Sequence, residues 1–137
     1  MVERDYVMRL IHEMIRALLK LVLHIDWRDD EKDKTVQTVE DSDLNQRYQK
    51  LKNLVEEKRI NEAENLLYEY LDELDQDENR AFGLALLFYD MLTGLSEDYL
   101  NESGYTREEV TEGVKTAASR YGYERFAQEL MEGDWDD

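Results

Sequence analysis

The N-terminal segment from about Glu3 to His24 constrains the fold more than any other part of the chain. At about 100° per residue, the seven charged and histidine side chains from Asp5 to His24 fall within a stripe about 120° wide, and apolar side chains fill the rest of the circumference over that stretch. An ordinary surface helix presents an apolar arc of roughly 100° to its core, and the arc of this segment is about twice as wide. Such a helix must be covered on two sides, either by its own domain or by another chain.

A second copy of the chain is the expected cover for part of this helix, because one small bundle is not expected to bury the whole arc. We therefore predict a homodimer joined through the N-terminal helix, and a Leu18→Glu change is expected to cause dissociation or misfolding. The predicted interaction residues are Leu10, Ile11, Met14, Leu18, Leu21 and Val22.

Beyond this helix the sequence predicts a linker and then a bundle. Residues 26–43 lose the helical period and are crowded with charged side chains, which favours an exposed linker over an ordered acidic loop. From Leu44 apolar residues recur at spacings of three and four, and no stretch alternates convincingly with the period of a strand. The prediction is an all-α fold of six to seven helices in one globular domain. It comprises an N-terminal apolar helix (1–25), an acidic linker (26–43), an antiparallel helical bundle (44–132) and an acidic tail (133–137) that is expected to fray.

Capping residues predict where several helices begin and end. Asn61 with Glu64, and Thr106 with Glu109, have the spacing of a capping box, in which the first side chain accepts from the backbone N–H three residues later. Ser96 predicts the start of a short helix. Three glycines are expected to end helices: Gly94, Gly104 and Gly122.

The charge balance excludes several classes of function. Acidic residues outnumber basic ones by 34 to 17 in a chain of 137 residues, and the net charge is -17. This charge repels the phosphate backbone, so nucleic-acid binding is not expected. The absence of cysteine excludes disulfides, thiolate metal sites and a cysteine nucleophile, and it is compatible with the reducing cytosol. We expect a cytoplasmic protein.

Two motifs that resemble metal sites fail on inspection. His12 and the glutamate after it begin like the zinc motif H-E-x-x-H, but Arg16 stands where the second histidine is needed. Asp41 opens a series like an EF-hand loop, but Gln46 replaces the turn glycine and Lys52 the bidentate glutamate. We therefore expect a protein that is not an enzyme, with no catalytic, cofactor-binding or metal-binding residues.

The sequence also contains nine tyrosines, many for this length. Amphipathic packing, with each hydroxyl at the rim of the core, is one interpretation. The alternative is a tyrosine-lined groove for a peptide or a partner helix, where such residues are enriched.

Part of the bundle resembles a tetratricopeptide-type hairpin, in which a small alanine lies where two helices approach closely. Ala63 and Leu67 match that pattern. Leu51 and Tyr70 depart from it, because small residues are usual at both positions, and a repeat array needs about three copies. A break near Arg59 is short enough that the helices on its two sides should form an antiparallel hairpin.

A second resemblance spans most of the chain. The opening Asp5-Tyr6-Val7-Met8-Arg9-Leu10-Ile11, followed by an apolar helix, an acidic break and a helical hairpin, is similar to a family of short, uncharacterised bacterial proteins. The resemblance implies a helical, tetratricopeptide-like cytoplasmic protein with no established activity and no catalytic residues to carry over.

The expected function is therefore that of a non-catalytic interaction or scaffold protein. Two alternative functions remain open. One is a membrane-surface anchor, because Arg9, Arg16 and Lys20 form a basic face on the N-terminal helix, although residues 26–137 carry a net charge of -18 that anionic lipid repels. The other is an acidic mimic of DNA that blocks a nucleic-acid-binding protein. The carboxylates that motivate it are Glu56, Glu57, Glu62, Glu69, Asp72, Glu73, Asp75 and Asp77.

Overall fold

The computed structural model describes the backbone of residues 2–23 and 41–135, and the side chains of residues 6–23 and 41–129. Every regular element within these ranges is an α-helix, which confirms the predicted all-α class. The predicted linker lies outside the described residues except for its last three positions. The helices are α1 (Val2–Leu23), α2 (Ser42–Glu56), α3 (Ile60–Glu73), α4 (Glu78–Thr93), α5 (Glu97–Glu102), α6 (Arg107–Arg120) and α7 (Glu124–Trp135).

Helix α4 is the centre of the bundle. Its residues 81–89 are all buried, because apolar side chains surround this helix instead of forming one stripe. It packs against α1, α2, α3 and α6, whereas α7 packs against α6 and α1. A helix that is apolar all round is stable in water only when neighbours cover it on every side.

The C-terminal end of α1 packs closely against α4. A Cβ atom added to Gly83 of α4 would lie 2.6 Å from side-chain atoms of Leu23. The glycine therefore provides the space that the Leu23 side chain fills. This contact joins the N-terminal helix to the core of its own chain.

Side-chain caps begin four of the helices, as the sequence pattern indicates for two of them. Ser96 Oγ accepts from the backbone N–H of Tyr99 (3.0 Å), and Thr106 Oγ1 accepts from that of Glu109 (3.1 Å). Asp41 and Asp77 cap α2 and α4 in the same way. These bonds satisfy backbone donors that have no partner within the helix.

Two predicted boundaries need correction. Helix α2 begins at Ser42, so the last residues of the predicted linker 26–43 belong to the cap and first turn of a helix. Helix α7 continues to Trp135, so the predicted tail 133–137 is helical over most of its length. In the first case a side-chain cap at Asp41 extends the helix beyond its apolar periodicity.

The capping box predicted at Asn61 and Glu64 is wrong. Helix α3 begins at Ile60 after Arg59, and no side chain caps it. Asn61 Nδ2 instead donates to the carbonyl oxygen of Gly104 (3.1 Å). The Glu64 carboxylate accepts hydrogen bonds from Tyr89 and Tyr105, which are distant in sequence. Both side chains therefore make tertiary contacts instead of the local capping box.

Candidate functional site

A surface cleft of about 270 Å³ opens between α3 and α6. Side chains of α3 and α6 form its two walls, and Tyr105, which precedes α6, also lines it. We call it the tyrosine cleft. The residues that line it are Glu64, Tyr68, Tyr105, Glu109, Glu112, Gly113 and Thr116.

The carboxylate of Glu64 lines the tyrosine cleft and accepts hydrogen bonds from two phenols. Its Oε2 atom accepts a hydrogen bond from Tyr89 Oη at 2.6 Å and another from Tyr105 Oη at 2.9 Å. Hydrogen bonds from hydroxyls to a charged carboxylate are short and stronger than neutral ones. Because both donors bind the same oxygen, Oε1 can still accept from a further donor.

The position of Tyr89 depends on a glycine in the facing helix. Tyr89 belongs to α4 and is fully buried, and its ring lies over Gly113 of α6. A Cβ atom at Gly113 would lie 2.3 Å from a ring carbon of Tyr89 and 2.7 Å from its hydroxyl oxygen. Only glycine allows this ring to pass between α4 and α6 and reach Glu64.

Burial keeps both phenols in the protonated, hydrogen-bond-donating form. It raises the pKa of Tyr89 well above its ordinary value, and the negative charge of Glu64 raises it further. The pKa of Tyr105 is raised by the same two causes in the same order. These phenols are therefore donors that orient a carboxylate, and they are poor nucleophiles or bases at neutral pH.

A second depression of about 310 Å³ lies between α2 and α3, but its two carboxylates are already paired with a cation of this chain. Arg47 Nε donates to Asp43 (2.9 Å), and Arg47 Nη1 donates to Glu73 (2.6 Å). The guanidinium also lies 4.8 Å from the ring centroid of Tyr70. Arg47 therefore pairs with the carboxylates of this depression. Among the residues described, no basic side chain lines the tyrosine cleft.

Arg120, a basic group beside the tyrosine cleft, is also engaged elsewhere. The Arg120 guanidinium lies 6.0 Å from the ring centroid of Tyr68. Its Nη2 atom donates to Asp72 at 2.9 Å. Arg120 thus contacts the edge of the site without neutralising the glutamates that line it.

The six predicted interaction residues divide into two groups. Four of them lie within the core of this chain, where they contribute to its folding, and the prediction that they join this chain to another one stays a prediction. Leu10 is half-buried, and Leu21 is 53% exposed. The four core residues are Ile11, Met14, Leu18 and Val22.

An apolar stripe nevertheless remains on the outer surface of α1. At about 100° per residue, four outward side chains fall within about 60° of arc, next to the buried face. Within the described residues, the wide apolar arc is therefore only partly covered. Because α1 packs against α4, its buried face is not available to a lipid surface. The stripe consists of Tyr6, Leu10, Ala17 and Leu21.

The histidine and aspartate motifs have structural partners. His12 Nδ1 lies 2.6 Å from Asp90 Oδ1 and 3.2 Å from Thr93 Oγ1, which joins α1 to α4. Both carboxylate oxygens of Asp41 accept from Arg80, at 2.8 and 3.2 Å. Within residues whose side chains are described, no group of three His, Cys, Asp or Glu residues is arranged to hold a metal ion. Nor does any described helix combine the length and apolarity that a membrane crossing requires.

The spacing of Glu64 to Asn61 predicts a local cap, so this pattern alone does not indicate that Glu64 belongs to the tyrosine cleft. A signal was nevertheless present. Glu109, Gly113 and Thr116 share one face of α6 at helical spacing, and a glycine inside a helix indicates a close approach. The other interpretation of the tyrosines, packing at the core, describes Tyr123, whose ring stacks on that of Phe82 with centroids 4.9 Å apart.

Comparison with known proteins places the chain in a family. No curated protein and no solved structure matches it. A family model does match, over residues 1–122, which include α1 to α6 and thus the whole tyrosine cleft. The chain therefore belongs to DUF6483, a family of unknown function.

Proposed function

We propose that this protein is a non-catalytic interaction module that holds a segment of a partner protein in the tyrosine cleft. The observation that carries the proposal is a formed opening whose central carboxylate, on Glu64, is oriented by two phenols and retains an unused acceptor oxygen. Tyrosines beside polar groups are typical of binding surfaces, because the ring supplies contact area and the hydroxyl a hydrogen bond.

The arrangement supports binding more than chemistry. Burial holds Tyr89 and Tyr105 in their neutral forms, so neither phenol serves as a base near pH 7. The cleft is also open, and open sites do not exclude water from a reaction. A cytoplasmic location, expected from a sequence without cysteine, is part of this proposal.

A pull-down from the native cell with the tagged full chain tests the proposal. A Thr116→Trp change places a bulky ring at the mouth of the cleft, and Thr116 is exposed, so the fold should tolerate it. The matched control is Ser119→Trp, on the same helix but outside the cleft. We expect Thr116→Trp to lose the partner that the wild type and the control retain. Equal capture by all three proteins would contradict the proposal.

A second candidate function is self-association through the outer stripe of α1. Leu21 is 53% exposed, and Leu10 and Ala17 lie on the same face. Residues 1–25 have a net charge of +1, whereas the whole chain has -17, so two copies repel each other least at this helix. This is the homodimer of the sequence analysis, with a narrower contact surface.

Light scattering coupled to size exclusion tests self-association. A dimer has twice the 16.4 kDa mass of the chain, and Leu21→Glu should return it to the monomer mass. Ser119→Glu adds the same charge on α6 and should leave the dimer intact. A wild type of 16.4 kDa at micromolar concentration would rule out this candidate.

The tetratricopeptide-like character of the α2–α3 hairpin also belongs to the proposal. Three residues separate α2 from α3, and the two helices pack together. The small side chain of Ala63 is fully buried, as the resemblance implies for the position of closest approach. Hairpins of this kind present helical walls to a partner, and the tyrosine cleft uses the α3 wall.

A further inference from the structure

The tyrosine cleft has a charge that the rest of the chain does not compensate. Its lining includes Glu64, Glu109 and Glu112, and no Lys or Arg among the described residues lines it. Some carboxylates elsewhere in the described structure have internal cations, since Arg80 binds Asp41 and Asp43 within 2.9 Å. The difference marks the cleft as a place where an external cation would be stabilised.

Charge alone would not select one ligand, but the hydrogen bonds of Glu64 restrain its carboxylate. Tyr89 and Tyr105 both bind Oε2, which leaves Oε1 as the acceptor for a further donor. Glu64 is only half-exposed, so its bond to a cation is screened less than that of a surface carboxylate. Glu109, another carboxylate that lines the cleft, accepts a hydrogen bond from the Thr106 hydroxyl at 3.2 Å.

The lining also suits the shape of a basic side chain. The half-buried ring of Tyr68 supplies aromatic carbon for the methylene stem, and an aromatic ring attracts a nearby cation. A negatively charged side chain would meet three glutamates instead. The net charge of -17 also draws a basic segment to the molecule before it docks.

We infer that the tyrosine cleft recognises a lysine or arginine side chain of a partner protein, with Glu64 as the residue that binds the cation and Tyr89 and Tyr105 as the residues that position its carboxylate. This inference rests on the proposed function and names the chemistry of the partner. The cation donates to Glu64 Oε1, and Glu112 contributes negative potential at the rim.

The test uses the full chain and three short peptides that differ at one central residue, which is lysine, Nε-acetyl-lysine or glutamate. Amide shift changes in NMR spectra report which residues each peptide contacts. We expect the lysine peptide alone to shift Glu64, Tyr68, Glu112 and Thr116. Its affinity should fall as NaCl rises, because salt screens the charges on both partners.

Two variants separate a specific contact from general attraction. Glu64→Gln keeps an acceptor for the phenols but removes the charge, and it should weaken binding of the lysine peptide by about tenfold or more. Glu69→Gln removes the same charge from an exposed position of α3 outside the cleft and should change affinity less than about twofold. Equal losses in the two variants would overturn the inference.

A further variant covers the case in which Glu64→Gln fails to fold. Thr116→Lys adds a tethered ammonium group at the exposed rim and should abolish binding of the lysine peptide, whereas Ser119→Lys should not. A lysine peptide that leaves the cleft signals unshifted, or an acetyl-lysine peptide that binds equally well, would overturn the cation inference. Continued dependence of partner capture on Thr116 in those cases would leave the proposed function standing.

Discussion

Glu64 illustrates how a residue's role depends on contacts distant in sequence. Its hydrogen-bond partners, Tyr89 and Tyr105, lie 25 and 41 positions away. The bond to Tyr89 in turn requires that position 113 carry no side chain, because the ring occupies that volume. A hydrogen bond, a buried ring and a missing methyl group thus act together, and a change in one should be detected at the others.

Gly113→Ala should reveal this coupling. The added methyl group would overlap the ring of Tyr89, and overpacking of this kind costs about 1–3 kcal/mol in the free energy of unfolding. Urea denaturation measures the loss, and the amide shift of Glu64 should report that Tyr89 has moved. The control is Gly94→Ala, where φ is -86° and the nearest contact for a Cβ is 3.6 Å. Equal stability of the two variants would show that the ring adapts without cost.

At the scale of elements, α1 has two distinct faces. One face lies in the core against α4, and the neighbouring face carries the exposed stripe. Leu18 and Leu21 are only three positions apart, yet the first is fully buried and the second is 53% exposed. The same substitution at the two positions therefore separates the contribution of α1 to folding from any contribution to association.

Leu18→Glu should prevent folding, because it buries a carboxylate with no partner. The cost, about 4 kcal/mol or more, is comparable with the total stability of a small domain. Leu21→Glu should change the free energy of unfolding by less than about 0.5 kcal/mol, as is usual at exposed positions. Circular dichroism during thermal unfolding compares the two variants. A folded Leu18→Glu protein would show that α1 is not part of the core.

The start of α2 should make stability depend on pH. Hydrogen bonds from Arg80, followed by the backbone N–H of Leu44, lower the pKa of Asp41 below 3.8 despite the opposing effect of its burial. The folded state therefore binds the proton less tightly than the unfolded state. The stability that ionised Asp41 contributes is complete above its unfolded pKa, near 4, and is lost as pH falls through the lower folded pKa.

Asp41→Asn tests this dependence, because asparagine can keep the cap but not the charge. The variant should be less stable than the wild type at pH 7, and the difference in the free energy of unfolding should shrink as pH falls through the lowered folded pKa of Asp41. In an Arg80→Gln background the same substitution should cost much less. A difference between Asp41 and the variant that is constant from pH 7 to pH 2 would contradict the assigned cause.

The sequence predicts helix caps, which depend on neighbouring residues, better than it predicts contacts between residues distant in the chain. Thr106 capped α6 as expected, because a cap needs only its own backbone within three residues. Asn61 and Glu64 have the same spacing but bind elsewhere, because Gly104 and the two phenols compete for them. The width of the apolar arc of α1 could be counted from the sequence, but which side met α4 depended on packing that periodicity does not encode.

At the scale of the whole molecule, the excess of negative charge opposes compaction. The net charge of -17 is concentrated in the folded state and is spread over a larger volume in the unfolded chain. The described ion pairs, such as Arg47 with Glu73 and Arg120 with Asp72, offset part of this repulsion. Most of these pairs have at least one exposed partner, so each contributes little.

Added salt should therefore stabilise the protein. Raising NaCl from about 0.01 M to about 0.1 M shortens the Debye length from about 30 Å to about 10 Å, which screens long-range repulsion more than it weakens contacting pairs. The midpoint of thermal unfolding should rise. Glu69→Gln, which removes one exposed negative charge, should raise the midpoint at low salt and have a smaller effect at high salt. A midpoint that falls with salt would mean that attraction within the ion pairs outweighs the repulsion among the excess carboxylates.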